Sequence, residues 1–129
     1  MREKQHNESQ EDYLEAIYTV NQRNGYCRSV DLAEQLGYSK ASVSVAVSKM
    51  KAEGLIIVDH AGLLKLTAEG EKTAKYTLQK HVLIRKLLRD IGVEEQQADR
   101  EACKIEHIIS EETFQKLTEA AKNHATFCR

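Results

Sequence analysis

No proline and only six glycines occur in the 129 residues. Apolar residues recur at three- and four-residue spacing over most of the chain, and one short stretch alternates with period two. These observations predict a mainly α protein: an N-terminal winged helix-turn-helix over residues 1–70, followed by a second, helical domain over 71–129. At this length one compact domain, or two small subdomains sharing a core, is expected.

The elements follow in order. Residues 8 to 23 carry Tyr13, Leu14, Ile17, Tyr18 and Val20 as a stripe close to helical period, and Asn24-Gly25 stops that helix. Ser29 to Leu36 reads as a short helix with Ser29 as N-cap and Gly37 as its stop. The next helix begins near Tyr38-Ser39 and ends near Glu53-Gly54, with Val43, Val47 and Met50 at core-facing spacing. Leu55 to His60 and Leu63 to Thr67 read as two short strands joined by Ala61-Gly62. A long helix opens at Thr67-Ala-Glu-Gly70 and runs to about Asp90, where Ile91-Gly92 breaks it. Two more helices follow, roughly 94 to 108 and 111 to 123, the latter capped in the region of Ser110. Helix, helix, turn, helix, hairpin is the order of a winged helix-turn-helix.

Composition excludes several classes. With 41% hydrophobic and 30% charged residues, the chain suits a soluble globular protein. No apolar run is long enough to span a bilayer. The start, Met1-Arg-Glu-Lys-Gln-His6-Asn, lacks the apolar stretch of a signal peptide, so the cytoplasm is the expected compartment. Cys27, Cys103 and Cys128 suggest no disulfide framework: Cys27 reads as a small semi-buried hydrophobe and Cys128 as a free surface thiol. A net charge of −1 does not announce a nucleic-acid binder, but the footprint can be local.

It is local here. Between residues 39 and 52 the only charged side chains are Lys40, Lys49 and Lys51. Ser39, Lys40, Ser42 and Ser44 put small hydroxyls and a cation near the start of the third helix, as a recognition helix requires. Arg28 could clamp the phosphate backbone, and His60 and Lys65 could make wing contacts. The expected partner is double-stranded operator DNA. No Arg, Asn or Gln lies in the first half of the helix, so bidentate base readout is not visible. Exposed Ser and Lys also populate any solvated helix, and a metal-independent winged-helix module for DNA or protein stays open as the alternative.

A second constellation lies outside that module. In Glu101-Ala-Cys-Lys-Ile-Glu-His107, the residues Cys103, Glu106 and His107 fall at i, i+3 and i+4, on one face of a helix. A thiol, a carboxylate and an imidazole together suit a transition metal. Asp12 and Glu15 repeat the i, i+3 device upstream, and His81 supplies a second imidazole. Each has an ordinary reading: first-turn acids, a satisfied histidine, a buried small hydrophobe, a solvated face. Spacing alone leaves both readings open.

The chain resembles the iron- and manganese-dependent repressor family that includes the diphtheria toxin repressor and the manganese transport regulators. The likeness runs from about Ser9 to about Leu117. It is carried by Glu11-Asp-Tyr-Leu-Glu-Ala-Ile-Tyr18, Val30-Asp-Leu-Ala-Glu-Gln-Leu36, Leu63-Leu-Lys-Leu-Thr-Ala-Glu-Gly70, Lys80-His81 and Glu101 to His107. The resemblance implies that Asp12, Glu15 and His81 match ligands of the manganese regulators, and that Glu106 and His107 match ligands throughout the family. Cys103 matches the iron type, where manganese regulators usually carry Glu. Asp12 goes the other way, because iron-type members usually have Met there. Arg85 stands where the iron type has an ancillary carboxylate ligand, and Asp99 where it has a histidine. The chain also ends before the SH3-like third domain of longer members, as the manganese regulators do.

Two partitions of the ligands follow. Asp12, Cys103, Glu106 and His107 could form one cluster, leaving Glu15 and His81 weakly occupied or empty. Alternatively Glu106 bridges two metals, with Asp12, Glu15 and His81 on one side and Cys103 and His107 on the other. Carboxylates favour Mn²⁺, whereas a thiolate shifts preference toward Fe²⁺, Co²⁺ or Zn²⁺. The resemblance points to Mn²⁺ or Fe²⁺ as corepressor, Zn²⁺ or Co²⁺ being possible, in a homodimer that represses metal-uptake genes. Ile105, Ile108, Ile109, Phe114 and Leu117 would build the dimer contact. No small organic substrate is expected. An enzyme would need an open coordination position, a general base and a cleft, and no further catalytic constellation accompanies the donors.

Overall fold

The computed structural model describes residues 8–127, so Cys128 lies outside the described residues. The element order is α1 (Glu8–Asn24), α2 (Ser29–Leu36), α3 (Lys40–Ala52), β1 (Ile56–Val58), β2 (Leu64–Leu66), α4 (Ala68–Asp90), α5 (Glu95–Ile105) and α6 (Glu111–Phe127). Two compact units divide the chain, one ending at Tyr76 and the other beginning at Thr77. The long helix α4 contributes to both.

In the first unit, Leu14, Ile17 and Val20 of α1 are completely buried, with Tyr13 and Ala16 beside them. They share one core with Leu32 of α2, Val43 and Met50 of α3, and Ile56 and Leu64 of the hairpin. Cys27 belongs to that core and is fully buried, and burial pushes its thiol up to about 11, so it stays neutral. The α1 stripe is thus the wall on which the helix-turn-helix is assembled. The N-cap of α2 lies one residue before the expected one, and Ser29 is the first helical residue. Arg28 is that N-cap, because Asp31 at the third helical position accepts the Arg28 backbone N–H at 3.0 Å. Gly37 ends α2 in the left-handed region at φ 72°, where a side chain would be strained. Ser39 caps α3 and accepts the Ser42 N–H at 3.1 Å.

The hairpin is antiparallel, with Ile56 opposite Leu66, Ile57 opposite Lys65 and Val58 opposite Leu64. Its strands are three residues each, shorter than the two runs expected. Asp59 ends the ladder by folding the connection into a turn: its Oδ1 accepts the N–H groups of Ala61 and Leu63, both at 2.9 Å. At the other end, Thr67 caps α4, donating its hydroxyl to the Gly54 carbonyl at 2.7 Å and accepting the Gly70 N–H at 3.1 Å. A β-carbon on Gly70 would lie 2.1 Å from the Leu55 carbonyl oxygen, so only glycine lets the first turn of α4 seat on the hairpin.

In the second unit, α4 stops before Gly92, which takes φ 104°. Glu94 caps α5 and accepts the N–H groups of Gln96 and Gln97 at 3.1 Å each. Those bonds hold its carboxyl below the usual range. Ala98 and Ala102 turn the buried face of α5 inward. The helix closes at Ile105, three residues short of expectation, because the chain tightens into i−3 bonds: His107 N–H to Lys104 at 3.3 Å and Ile108 N–H to Ile105 at 3.0 Å. Ser110 caps α6 by accepting the Thr113 N–H at 3.1 Å, and α6 continues to Phe127, beyond the expected end near 123.

Candidate metal centre and nucleic-acid interface

Glu106 is the anchor of the donor cluster. It is the C-cap of α5, still right-handed helical at φ −59° and ψ −23°, and its side chain is completely buried. That conformation keeps it one turn from Cys103. His81 comes from the middle of α4, which α5 faces. One ligand atom from each of His81, Cys103 and Glu106 lies within 4.8 Å of the other two. Glu106 Oε1 is 2.8 Å from His81 Nδ1, while Oε2 makes no hydrogen bond and lies 3.3 Å from His107 Nε2. The two oxygens of one carboxylate therefore address two different imidazoles.

The early end of α5 puts His107 in a tightened turn, on the other oxygen of Glu106. Cys103 and Glu106 gather with His81. Asp12 and Glu15 lie one turn apart on α1, both half-buried, in the first unit.

The chemistry of these donors fits a divalent cation. A buried carboxylate costs several kcal/mol of desolvation unless its charge is compensated. His81 can satisfy Glu106 and a second carboxylate, Asp99 at 2.9 Å from Nε2, only as an imidazolium. As the neutral Nε2–H tautomer it aims the Nδ1 lone pair at Glu106 Oε1, two acceptors in opposition unless a cation lies between them. Each separation, 2.8 and 3.3 Å, suits a pair of adjacent ligands of a metal ion, since right-angled bonds of about 2.1 Å span about 3 Å. Imidazole, carboxylate and thiol together suit first-row divalent metals. Cys103 is exposed, so the site opens to solvent on its thiol side.

Asp99, noted in the sequence only for standing where the iron type has a histidine, precedes Cys103 by one turn, so Asp99, Cys103 and Glu106 continue a single stripe on α5. Arg85, one turn beyond His81, approaches the same Asp99 oxygen at 3.6 Å.

On the first unit, Lys40, Ser42, Ser44 and Lys49 are exposed on α3. Ser39 is exposed as well, with its hydroxyl bonded to Ser42 as part of the cap. Val45, 69% exposed beside them, is an apolar contact the charge pattern did not reveal. Arg28 is held by Asp31 through two bonds of 2.9 and 2.8 Å and lies 5.7 Å from the Tyr26 ring centre. Lys65 and Ile57 form the exposed register pair of the wing, with Lys65 3.6 Å from Asp59, and His60 is exposed at the turn.

Comparison with known proteins agrees with both halves. Residues 6–63 match the iron dependent repressor N-terminal DNA binding domain, and residues 67–128 match the iron dependent repressor metal binding and dimerisation domain. The HTH-type transcriptional regulator MntR of Lysinibacillus sphaericus is 34% identical over 111 residues, covering 86% of this chain and 80% of that protein. Among solved structures, the metal-dependent transcriptional regulator MtsR superposes with a TM-score of 0.81 at 28% identity, covering 88% of this chain and 53% of that one. A manganese-dependent transcriptional repressor in complex with manganese gives 0.76 at 26% identity, covering 86% and 51%. The chain thus spans about half the length of those two solved relatives. The winged helix-turn-helix, the helical unit with its buried donor carboxylate and these relatives make this chain a member of the iron-dependent repressor family of metal-dependent transcriptional regulators.

Proposed function

We propose that this chain is a corepressor-dependent DNA switch in which residues 1–70 read operator DNA and residues 71–129 hold the metal and pair two protomers. The observation that carries the proposal is Glu106: a fully buried carboxylate with one oxygen on His81 and the other beside His107. In this reading His81, Cys103, Glu106 and His107 hold the ion, and Asp12 and Glu15 are proposed as further ligands on their likeness to the manganese regulators alone. A divalent cation, when bound, supplies the positive charge that these carboxylates and the thiolate compensate. Mn²⁺ or Fe²⁺ is favoured, as in the manganese-bound relative, while the Cys103 thiol keeps Zn²⁺ and Co²⁺ as competitors.

Metal binding would bias the two α3 helices of a homodimer toward the spacing of successive operator half-sites. A shift from 1:99 to 99:1 needs about 5.5 kcal/mol of differential binding, within reach of a multidentate site. Lys40 and Lys49 neutralise phosphates, Arg28 and Lys65 reach the backbone at either side, and Ser39, Ser42 and Ser44 approach phosphates or base edges. Val45 would pack against a thymine methyl. In the second unit, Ile91 at 78% and Ile108 at 79% exposure support the pairing of protomers. Among the described residues no helix is long and apolar enough to cross a membrane, and the proposed place of action is cytoplasmic DNA carrying metal-uptake genes. Glu106→Ala and His107→Ala should each abolish metal-dependent DNA binding in a footprinting assay while circular dichroism stays native. Unaltered metal dependence in both variants would overturn this reading.

A further inference from the structure

The Asp99 carboxylate stands outside the donor cluster and yet holds one of its members. Its Oδ1 lies 2.9 Å from His81 Nε2, the ring nitrogen opposite the one that meets Glu106. Arg85 brings its Nε to 3.6 Å from the same oxygen and its Nη2 to 3.6 Å from Glu95 Oε2. Glu106, His81, Asp99 and Arg85 thus alternate in charge character along one line, from a buried end to a solvent-facing one.

We propose that Asp99 is a positioning residue for the metal site, working through His81. Its carboxylate accepts the Nε2–H, which selects the tautomer whose Nδ1 lone pair points at Glu106. It also fixes the ring plane and raises the basicity of the ligating nitrogen. Arg85 aims the carboxylate and places a fixed positive charge beside it, which disfavours a second cation at the Asp99 side of the ring. Asp99 and Arg85 as an exposed pair would be worth little by themselves. What gives the contact leverage is His81, whose side chain is only 16% exposed and already committed to the buried Glu106. This inference rests on His81 being a ligand, as proposed above.

The test is a competition titration of the full chain against a chromophoric chelator, with Mn²⁺ and Co²⁺, for wild type, Asp99→Asn, His81→Ala and the double variant. Asp99→Asn should weaken binding ten- to a hundredfold. Its Co²⁺ complex should keep the thiolate charge-transfer band of Cys103 while the ligand-field bands shift. The metal-free melting temperature should stay that of wild type, since Asp99 is 59% exposed. In the His81→Ala background the same substitution should change affinity less than twofold. Wild-type affinity in Asp99→Asn, or an equal loss with and without His81, would overturn the positioning role and leave the ligand assignment standing. Unchanged affinity in His81→Ala would remove the ligand assignment and this inference with it.

Discussion

Replacing Glu106 by glutamine keeps the side-chain volume and removes one charge, and the two states of the protein should respond in opposite directions. Without metal, the substitution removes a fully buried carboxylate whose Oε2 has no hydrogen bond, so stability should hold or rise. With metal, the loss is large. A unit negative charge about 2.2 Å from a divalent cation contributes about 4 kcal/mol even with water-like screening, nearly three decades of affinity. At a metal concentration about a hundredfold above the wild-type Kd, wild type gains about 2.7 kcal/mol, whereas the variant gains less than about 0.4 kcal/mol. For a chain of this size the wild-type gain corresponds to a rise in Tm of about 10 °C, against about 1 °C for the variant. Differential scanning calorimetry with chelator and with Mn²⁺ or Zn²⁺ measures both. A variant that keeps the wild-type metal shift, or one that loses several kcal/mol without metal while its shift persists, would refute the argument that Glu106 is held for a cation.

Three further outcomes are expected. Gly70→Ala should destabilise the first unit by about 1–3 kcal/mol in urea unfolding, because its methyl would meet the Leu55 carbonyl oxygen at 2.1 Å; wild-type stability would mean the hairpin can yield there. Hydrogen bonds from Arg28 hold the Asp31 carboxyl below its ordinary 3.8, so the unfolded chain binds more protons as pH falls. The stability from this group is complete above the unfolded value and lost as pH drops through the lowered folded one, and Asp31→Asn should flatten that part of an acid-unfolding curve. In peptide-mapped alkylation near pH 8, exposed Cys103 should react and be protected by metal, while Cys27, buried with its thiol pushed up to about 11, should stay unmodified; equal labelling of Cys103 with and without metal would argue against ligation.

The helices were legible because their ends are written in local chemistry. Gly25, Gly37 and Gly92 all take positive φ where the sequence implied stops, and Ser39 and Ser110 cap α3 and α6 through their own hydroxyls. The errors fall where a longer-range or competing bond decides. Asp31 reaches back to the Arg28 N–H and makes Arg28 rather than Ser29 the N-cap of α2. Asp59 spends its carboxylate on a turn and shortens both strands. The donor residues were visible as spacing, but the place of His107 beside the second oxygen of Glu106 was not, since it depends on the tightened turn that follows Ile105. The contact between Asp99 and His81 needed coordinates, because the two are 18 residues apart on different helices.

The central claim is that DNA binding depends on metal held at Glu106. The most direct measurement is a fluorescence-anisotropy titration of genomic fragments enriched by the metal-loaded protein, repeated in chelator, Mn²⁺, anaerobic Fe²⁺ and Zn²⁺ at fixed ionic strength. The account predicts affinity at least tenfold tighter with an activating metal, and loss of that difference in Glu106→Gln. Equal affinity in chelator and in every metal would contradict it and leave a metal-independent winged-helix protein.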